Sequence, residues 1–342
     1  MSEALAVVSV GACCSVGLSA AETSVSLRAG VTRKSESLLA DRALAPVVLG
    51  HLDDRLLPPL RSTLRRETSP LTARMLRLAG LPLREVLTGP FAGARLPLQL
   101  AAPAMPGLLS PEFLAALAVQ AELPLALPHS RLHPGQAGLF AAIAAVTADP
   151  GSELVIVGGV DSYYDRERIR ALEREDRLRT SGPQDAFTPG EAAAFVMLAR
   201  AEACRRYALT PLAWITHSRL VDDPVAADGF EALARGVTSL FEAAAPGGAR
   251  LGIRSVFAGL NGESKSAREW GIAQVRNTEH FVPGFALEHP AEAIGDAGAA
   301  LAPLMLAVAA LQLRQAKLAG PTLIWAGGEG SQRGALILYP HR

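Results

Sequence analysis

Cysteine, aromatic residues and excess charge are all scarce in this chain of 342 residues. Its three cysteines, two of them adjacent at Cys13 and Cys14, match neither a disulfide framework nor the spacing of a zinc site. Lysine plus arginine equals aspartate plus glutamate at 33 each, so net charge favours neither nucleic acid nor an anionic membrane as a partner. We therefore expect a protein of the reducing cytoplasm, with no metal and no nucleic acid.

Long hydrophobic runs are also missing. No stretch of about 18 uninterrupted apolar residues occurs, and no basic region precedes an apolar run at the start, so neither a membrane span nor a signal peptide is expected. The longest apolar tract, residues 297–311, is interrupted by Pro303 and predicts a buried helix. Phosphate-loop and dinucleotide-binding motifs are absent, and we expect no cofactor.

What the chain does contain is apolar material in an alternating order. Hydrophobic residues make up 49% of it, which suffices for a large core. Short valine- and isoleucine-rich runs alternate with longer alanine- and leucine-rich segments, a pattern typical of parallel strands joined by helices. The succession begins again after Glu191 and predicts an α/β fold of two fused halves, residues 1–199 and 200–342. Strands are predicted at residues 4–10, 123–127, 154–157, 193–198, 212–218, 323–326 and 335–338 and near Val256, and helices at 22–27, 111–120, 138–147, 229–244, 265–275 and 298–315. The charged run 166–185 is predicted to be a solvated segment without chemistry.

Several short motifs follow one another in an order that resembles the β-ketoacyl synthases. The first strand and its glycine turn, with Leu27-Arg28-Ala29-Gly30 after them, are similar to the start of that family. Phe187-Thr188-Pro189-Gly190-Glu191, Gly295-Asp296-Ala297-Gly298 and Gly328-Glu329-Gly330 resemble three of its later glycine-containing motifs. The resemblance covers nearly the whole chain and implies a thiolase-like fold with layered α-β-α-β-α architecture.

The catalytic groups of that family are replaced here. Gly135-Gln136-Ala137-Gly138 resembles its nucleophile elbow but carries Gln136, or Gly135 in a shifted register, in place of the cysteine. The first of its two histidines matches Asn261, and the second falls near Glu292, with His289 one helical turn away. Glu329 matches the gating phenylalanine. Carboxylates in these places would repel a developing oxyanion, and we therefore expect no ordinary Claisen condensation.

The replacements still leave a polar set that is expected to border one pocket. Two interpretations are open: a clustered carboxylate of raised pKa acts as a general base, or the side chains bond one another in a vestigial cavity. The second is favoured because neither a nucleophile nor a cofactor motif is present, and no residue is assigned as catalytic. The candidates are His133, Gln136, Asn261, Glu263, His289, Glu292 and Glu329.

Three functions follow from this interpretation. The first is a catalytically degenerate ketosynthase-like protein that acts through protein contacts, because Asn261-Gly262-Glu263 resembles a bacterial thiolase-like group found beside secretion-system components. The second is a subunit similar to the chain length factors of fatty acid or polyketide synthases, in which glutamine followed by Ala-Gly replaces the cysteine motif. The third is an acyl-processing enzyme, an acyltransferase or acyl hydrolase, with Glu292 or Glu263 as base and Asn261 as oxyanion donor.

The resemblance also implies partners. Members of this fold dimerise by extending their sheets across a two-fold axis, and residues 123–127 are the predicted edge strand. We expect a homodimer or a heterodimer with a ketosynthase-like chain. An acyl carrier protein or a secretion-system component is the further partner that the resemblance suggests.

Overall fold

The computed structural model describes residues 4–66, 68–105, 107–180, 185–222, 235–327 and 330–341. Most strands are short and apolar, and most helices lie between them. The strands are β1 (Leu5–Cys14), β2 (Ser35–Ala40), β3 (Pro46–Leu49), β4 (Leu98–Ala102), β5 (Arg131–Pro134), β6 (Leu154–Ser162), β7 (Glu191–Arg200), β8 (Ala213–Asp222), β9 (Ile253–Ala258), β10 (Phe281–Glu288), β11 (Thr322–Gly327) and β12 (Gln332–Pro340). The helices are α1 (Ala20–Arg28), α2 (Pro70–Val86), α3 (Pro111–Ala121), α4 (Gly138–Ala148), α5 (Arg166–Arg174), α6 (Ala201–Arg206), α7 (Arg235–Ala244), α8 (Ser264–Arg276), α9 (Ala291–Ile294) and α10 (Leu301–Arg314).

Ten strands form one sheet in the order β10-β9-β11-β12-β8-β1-β7-β6-β4-β5, and β2 pairs with β3 in a separate hairpin. The strands before Arg200 and those after it meet where β1 pairs with β8 over three residues. The prediction of parallel strands joined by helices is correct for part of the sheet, where β4 runs parallel to β5 and β6, and β9 runs parallel to β10 and β11. In the rest of the sheet β7 runs antiparallel to β1 and β6, and β12 runs antiparallel to β8 and β11. A strand buried on both faces is apolar whichever way its neighbours run, so its composition does not report direction.

The strands before Arg200 and the strands after it form two layers, and helices lie between these layers and outside each of them. α10 and α4 lie in the middle and contact strands from both groups, α2 packs on the outer face of β1, β6 and β7, and α7 packs on β8 and β12. The middle layer is the most apolar: ten consecutive residues of α10, from Leu301 to Ala310, are buried. This mixed α/β fold with α-β-α-β-α layering confirms the predicted fold class. Within the described residues, no helix is long and apolar enough to cross a membrane.

The predicted edge strand at residues 123–127 is wrong. Residues 123–126 are irregular and a single 3₁₀ turn follows, because Pro124 and Pro128 remove backbone donors that a ladder needs. β5, a few residues later, lies at one edge of the sheet, and β4 is its one pairing partner among the described strands. The strands β4 and β10 and the helix α2 were not predicted from the sequence, and residues 229–234 of the predicted helix 229–244 lie outside the described residues.

Candidate functional site

Two cavities meet at the start of α4. The first, of about 320 Å³, lies beyond the carboxyl ends of β9 and β11, and the second, of about 640 Å³, extends from the end of β5 toward α5. Gln136 lines both. We name them the polar cavity and the wide cavity. The charged and amide side chains of the polar cavity are Gln136, Arg177, Asn261, Glu263, Lys265, Glu269 and Arg333.

A sharp turn after β5 presents Gln136 to both cavities. Gly135 adopts a φ of +72°, in the left-handed region that glycine tolerates, and its N–H donates to the Ala102 carbonyl at 2.8 Å. At Gly138 an added Cβ would lie 2.7 Å from the His133 carbonyl oxygen, so only glycine lets the helix start this close to β5. This geometry is that of an elbow, with Gln136 at its tip.

The buried carboxylate of Asp296 is the centre of the polar network. Its Oδ2 accepts from Asn261 Nδ2 at 2.8 Å, and its Oδ1 accepts from the Gly298 N–H at 2.8 Å. Gln136 Nε2 approaches the two oxygens at 3.5 and 3.4 Å, which is a weak hydrogen bond. Burial raises the pKa of Asp296, with the carboxylates of Asp161 and Glu263 acting in the same direction. Sequence reasoning missed this residue as a site residue, although the motif Gly295-Asp296 was recognised.

Backbone contacts fix the position of Asp296. Its N–H donates to the Thr188 carbonyl and its carbonyl accepts from the Gly190 N–H, each at 2.8 Å. An added Cβ at Gly190 would lie 2.3 Å from the Ile294 carbonyl oxygen, and one at Gly295 would lie 2.4 Å from that of Pro189. The glycines therefore allow two chain segments to cross in contact.

Asn261 and Glu263 form a second part of the network. Asn261 Nδ2 donates to Glu263 Oε2 at 2.9 Å, and the Glu263 N–H donates to Asn261 Oδ1 at 3.1 Å. Arg177 binds the same carboxylate with both nitrogens, Nε to Oε1 at 2.7 Å and Nη2 to Oε2 at 3.0 Å. The prediction that residues 166–185 take no part in the site is therefore wrong. A charged run on a short helix has the composition of a solvated surface, and only its tertiary placement brings Arg177 to Glu263.

A second ion pair, between Arg333 and Glu269, also lines the polar cavity. Arg333 Nε donates to Glu269 Oε1 and Oε2 at 2.7 and 2.9 Å, and both side chains are buried. Lys265 also lines this cavity, is exposed, and has no carboxylate partner among the described residues. The lining thus carries two paired arginines and one unpaired cation.

Asp161 lines the wide cavity and binds two neighbouring groups. Its Oδ2 accepts from the Ala299 N–H at 2.8 Å, and its Oδ1 forms an ion pair with Arg168. Arg168 also lies over the ring of Tyr163, 3.8 Å from the ring centroid. Gly298, at a φ of +51°, leaves the space that Asp161 fills, because an added Cβ there would lie 2.1 Å from Asp161 Oδ2.

Three of the predicted pocket residues lie together, and three lie elsewhere. Gln136, Asn261 and Glu263 line the polar cavity. His133 faces β4, where its Nε2 lies 2.8 Å from Gln99 Oε1, and burial lowers its pKa. His289 and Glu292 line a separate cavity, where His289 Nδ1 lies 3.1 Å from Glu292 Oε2. The expectation of one shared pocket is corrected accordingly, and Glu329 lies outside the described residues.

The separation of Glu292 from the polar cavity has a physical cause. Glu292 lies in α9, a single turn that ends at Gly295, and its side chain is 72% exposed. The chain enters the core directly after this glycine. Asp296 is therefore the first residue of this segment that is buried beside Asn261. The glycine pair Gly295 and Gly298 around this acidic residue was the available sequence signal.

Cysteine chemistry is absent from the two cavities in the described part of the chain. Cys13, Cys14 and Cys204 are free and buried, and none of them lines either cavity. Burial raises the pKa of Cys13 and Cys14, which disfavours the reactive thiolate. No group of three or more metal-ligating side chains occurs among the described residues.

Comparisons with known proteins identify the fold. No family profile and no curated protein matches the sequence. Among solved structures, the chain is similar to the ketosynthase from module 6 of the bacillaene synthase of Bacillus subtilis 168, with a TM-score of 0.80 and 13% identity over 99% of this chain and 72% of that one. The oxazolomycin ketosynthase domain of Streptomyces albus JA3453 matches with a TM-score of 0.78 and 17% identity, covering 99% of this chain and 76% of that one. The ishigamide ketosynthase/chain length factor matches with a TM-score of 0.75 and 13% identity, covering 100% of both chains. Together with the layered sheet and the elbow before α4, these likenesses show that the chain has the thiolase-like fold of the ketosynthases.

Proposed function

We propose that this chain is a catalytically degenerate ketosynthase-like protein that acts through contacts with other proteins. The observation that carries the proposal is the hydrogen-bonded chain Gln136-Asp296-Asn261-Glu263-Arg177 at the elbow. An amide at the elbow forms no thioester, and the groups around it bond one another instead of facing the cavity as free acids, bases or donors.

The hydrogen-bond capacity of Asn261 argues against a role as oxyanion donor. Its side chain has two N–H donors, and one binds Glu263 Oε2 while the other binds Asp296 Oδ2. A tetrahedral oxyanion at this place would meet two carboxylates and no free amide donor.

The general-base alternative is also disfavoured by geometry. Both oxygens of Glu263 accept hydrogen bonds from Arg177, and Oε2 also accepts from Asn261, so the carboxylate is already bound by its neighbours. Glu292 lines a different cavity and does not contact Gln136 or Asn261. Turnover of an acyl thioester by the wild type would instead support the acyl-processing enzyme.

A chain-length-factor-like role is the second candidate. It is supported by Gln136-Ala137-Gly138 at the elbow and by the full-length likeness to the ishigamide ketosynthase/chain length factor. In this reading the wide cavity, with Met105 and Leu172 among its apolar lining residues, borders a channel shared with an active partner.

The edge of the sheet at β5 is the surface that we assign to the partner. Among the described strands β5 pairs with β4 alone, and an apolar groove of about 560 Å³ lies beside it. Leu109 and Leu127 line this groove, and each is 37% exposed. An open strand edge flanked by apolar side chains suits a ketosynthase-like chain or a second copy of this one.

The activity test compares the wild-type chain with Gln136→Cys and Ala148→Cys. All three are incubated with acyl-pantetheine and malonyl-carrier thioesters, and adduct formation is measured by intact mass spectrometry. We expect no adduct on the wild type, an acyl adduct on Gln136→Cys, and none on Ala148→Cys, whose thiol lies at the exposed opposite end of α4. Turnover by the wild type that is lost in Asn261→Ala would contradict the proposal.

The partner test is affinity purification from the native cell, followed by mass spectrometry. A ketosynthase-like chain or an acyl carrier protein in stoichiometric amount would support the chain-length-factor-like role, and a secretion component would support an adaptor. Leu127→Arg is expected to lose the partner, whereas Leu38→Arg, at an exposed leucine in the hairpin, is expected to keep it. Equal recovery with both variants would exclude the β5 edge.

A further inference from the structure

The cavity that contains His289 and Glu292 has the features of a second binding site. Its volume is about 340 Å³, and it lies between the end of α1, the end of β10 and the buried face of α10. It shares no lining residue with the polar cavity or the wide cavity. Nothing in the proposed function uses it.

Gln312 is the most informative residue of this cavity. It lies on α10 and is only 5% exposed, and its side-chain amide has no hydrogen-bond partner in the part of the chain that the structure describes. Since Gln312 lines the cavity, its amide is open to water or to a ligand that enters there. The amide offers two donors and one acceptor to such a ligand.

Two opposite charges stand at the same cavity without pairing. Arg28 ends α1 and Glu288 ends β10, and both line the cavity. Among the described residues, neither forms an ion pair with the other or with any third group. His289 and Glu292 bind each other and add a further acceptor beside Glu288.

Apolar side chains form the rest of the wall. Leu27, Phe257 and Leu287 line the cavity, and Phe257 belongs to the central core. A cavity of this size falls at the small end of the roughly 300 to 1,000 Å³ that small-molecule sites occupy. The site thus combines the Arg28 cation, the Glu288 carboxylate, the His289 and Glu292 pair, one amide and an apolar surface.

We propose that this cavity binds a small zwitterion with an apolar body, of the size and class of an apolar amino acid. Its carboxylate binds the Arg28 guanidinium, its ammonium binds Glu288, and its side chain packs on Leu27 and Phe257 with Gln312 completing the polar contacts. A simple anion would meet two carboxylates, and a simple cation would meet Arg28, so only a ligand with both charges satisfies the whole lining.

The test uses the full chain and three probes: L-leucine, 4-methylpentanoate, which lacks the ammonium, and 3-methylbutylamine, which lacks the carboxylate. Isothermal titration calorimetry measures the affinity of each. We expect one equivalent of leucine to bind, and each analogue to bind at least ~tenfold more weakly because a charge-assisted hydrogen bond is lost. No binding of leucine, or equal binding of either analogue, would overturn the proposal.

Variants separate binding from folding. Arg28→Ala and Gln312→Leu are each expected to weaken leucine binding by ~tenfold or more, and the exposed Lys317→Ala, outside the cavity, is the control. Gln312→Leu is also expected to melt no lower than the wild type, because it replaces an amide that makes no hydrogen bond within the described residues by an apolar side chain of similar size. Unchanged leucine affinity in both cavity variants would assign the cavity no ligand role, and a lower melting temperature of Gln312→Leu would assign Gln312 a structural one.

Discussion

At the scale of single residues, the site is defined by polar side chains that satisfy one another. Asp296 accepts from Asn261 and the Gly298 N–H, and Glu263 accepts from Arg177. A nearby set, Glu191 with Arg74, is buried in the same way. Each of these carboxylates accepts hydrogen bonds from neighbouring groups. The network therefore holds these side chains in one arrangement.

The charge state of Asp296 gives a prediction in pH. Burial raises its pKa above the ordinary value of 3.8, so the folded chain holds this proton more tightly than the unfolded chain does. The wild type therefore loses stability, relative to Asp296→Asn, as the pH rises from about 4 through the raised pKa. Urea unfolding of both proteins between about pH 4 and about pH 7 measures the difference in the free energy of unfolding.

Asp53→Asn provides the control of opposite sign. The hydrogen bond from the Arg55 side chain lowers the pKa of the exposed Asp53 from 3.8, so here the wild type gains stability relative to the variant as the pH rises through the lowered pKa toward 3.8. The control is therefore measured below pH 3.8 as well, and its difference is expected to stay level at higher pH. A difference between wild type and Asp296→Asn that stays constant with pH would mean that Asp296 titrates normally.

The ion pair of Arg74 and Glu191 predicts a large cost for one substitution. Glu191 is fully buried and accepts from Arg74 Nε and Nη2, both at 2.6 Å, and from Ser162 Oγ at 2.7 Å. Arg74→Met leaves that carboxylate without its cation and is expected to cost about 3–5 kcal/mol in the free energy of unfolding. Arg55→Met, which breaks an exposed pair with Asp53, is expected to leave it nearly unchanged because water screens that pair. Similar unfolding midpoints in urea for the two variants would show that the buried pair is not needed.

At the scale of elements, glycines decide where chain segments touch. The segment before β7 crosses the turn after α9, and a third segment joins them at Gly50, whose N–H donates to the Pro189 carbonyl at 3.0 Å. This crossing places Asp296 beside Asn261. Gly190 and Gly295 belong to motifs that carry the family resemblance, and both are glycines because two backbone segments lie in contact there.

Gly50→Ala is expected to destabilise the chain severely. An added Cβ would lie 1.6 Å from the Ile294 carbonyl oxygen, and neither backbone can yield without moving Asp296. Gly30→Ala is the control. Gly30 has a left-handed φ of +70° but open space around it, so this substitution tests backbone strain without a steric clash and is expected to cost about 1 kcal/mol. Thermal unfolding distinguishes them, and an equal loss in both would refute the role of the crossing.

At the scale of the whole molecule, the middle helices connect the two groups of strands. Phe140 of α4 packs on Gly334 of β12, and an added Cβ at Gly334 would lie 1.9 Å from the Phe140 ring. α10 contacts strands of both groups along its length. We therefore expect the proposed halves, residues 1–199 and 200–342, to unfold together.

The distribution of tryptophan allows that expectation to be measured. Trp214, Trp270 and Trp325 all lie after residue 200, so their fluorescence reports the second half while far-ultraviolet circular dichroism reports the whole chain. Phe140→Ala, in the first half, is expected to cost about 3–5 kcal/mol and to shift both transitions equally. A fluorescence transition that stays in place while the dichroism shifts would show that the halves unfold separately.

Most of the fold was predictable from local pattern. Burial of apolar runs and the 3.6-residue spacing are local properties, and the helices near residues 111–120, 138–147 and 265–275 have nearly the expected bounds. Strand direction and the identity of the edge strand were not predictable, since hydrogen-bond partners far along the chain determine them. Pro124 and Pro128 prevent a strand at residues 123–127, and β5 lies at this edge of the sheet instead.

The sequence by itself indicated the α/β class and predicted that Gln136 lies at an elbow and shares a pocket with Asn261. Only the tertiary structure decided that Asp296 and Arg177 join them, and that His289 and Glu292 face another cavity. The reason is physical: burial and pairing depend on which segments cross, and a crossing at Gly50, Gly190 and Gly295 brings together residues more than a hundred positions apart.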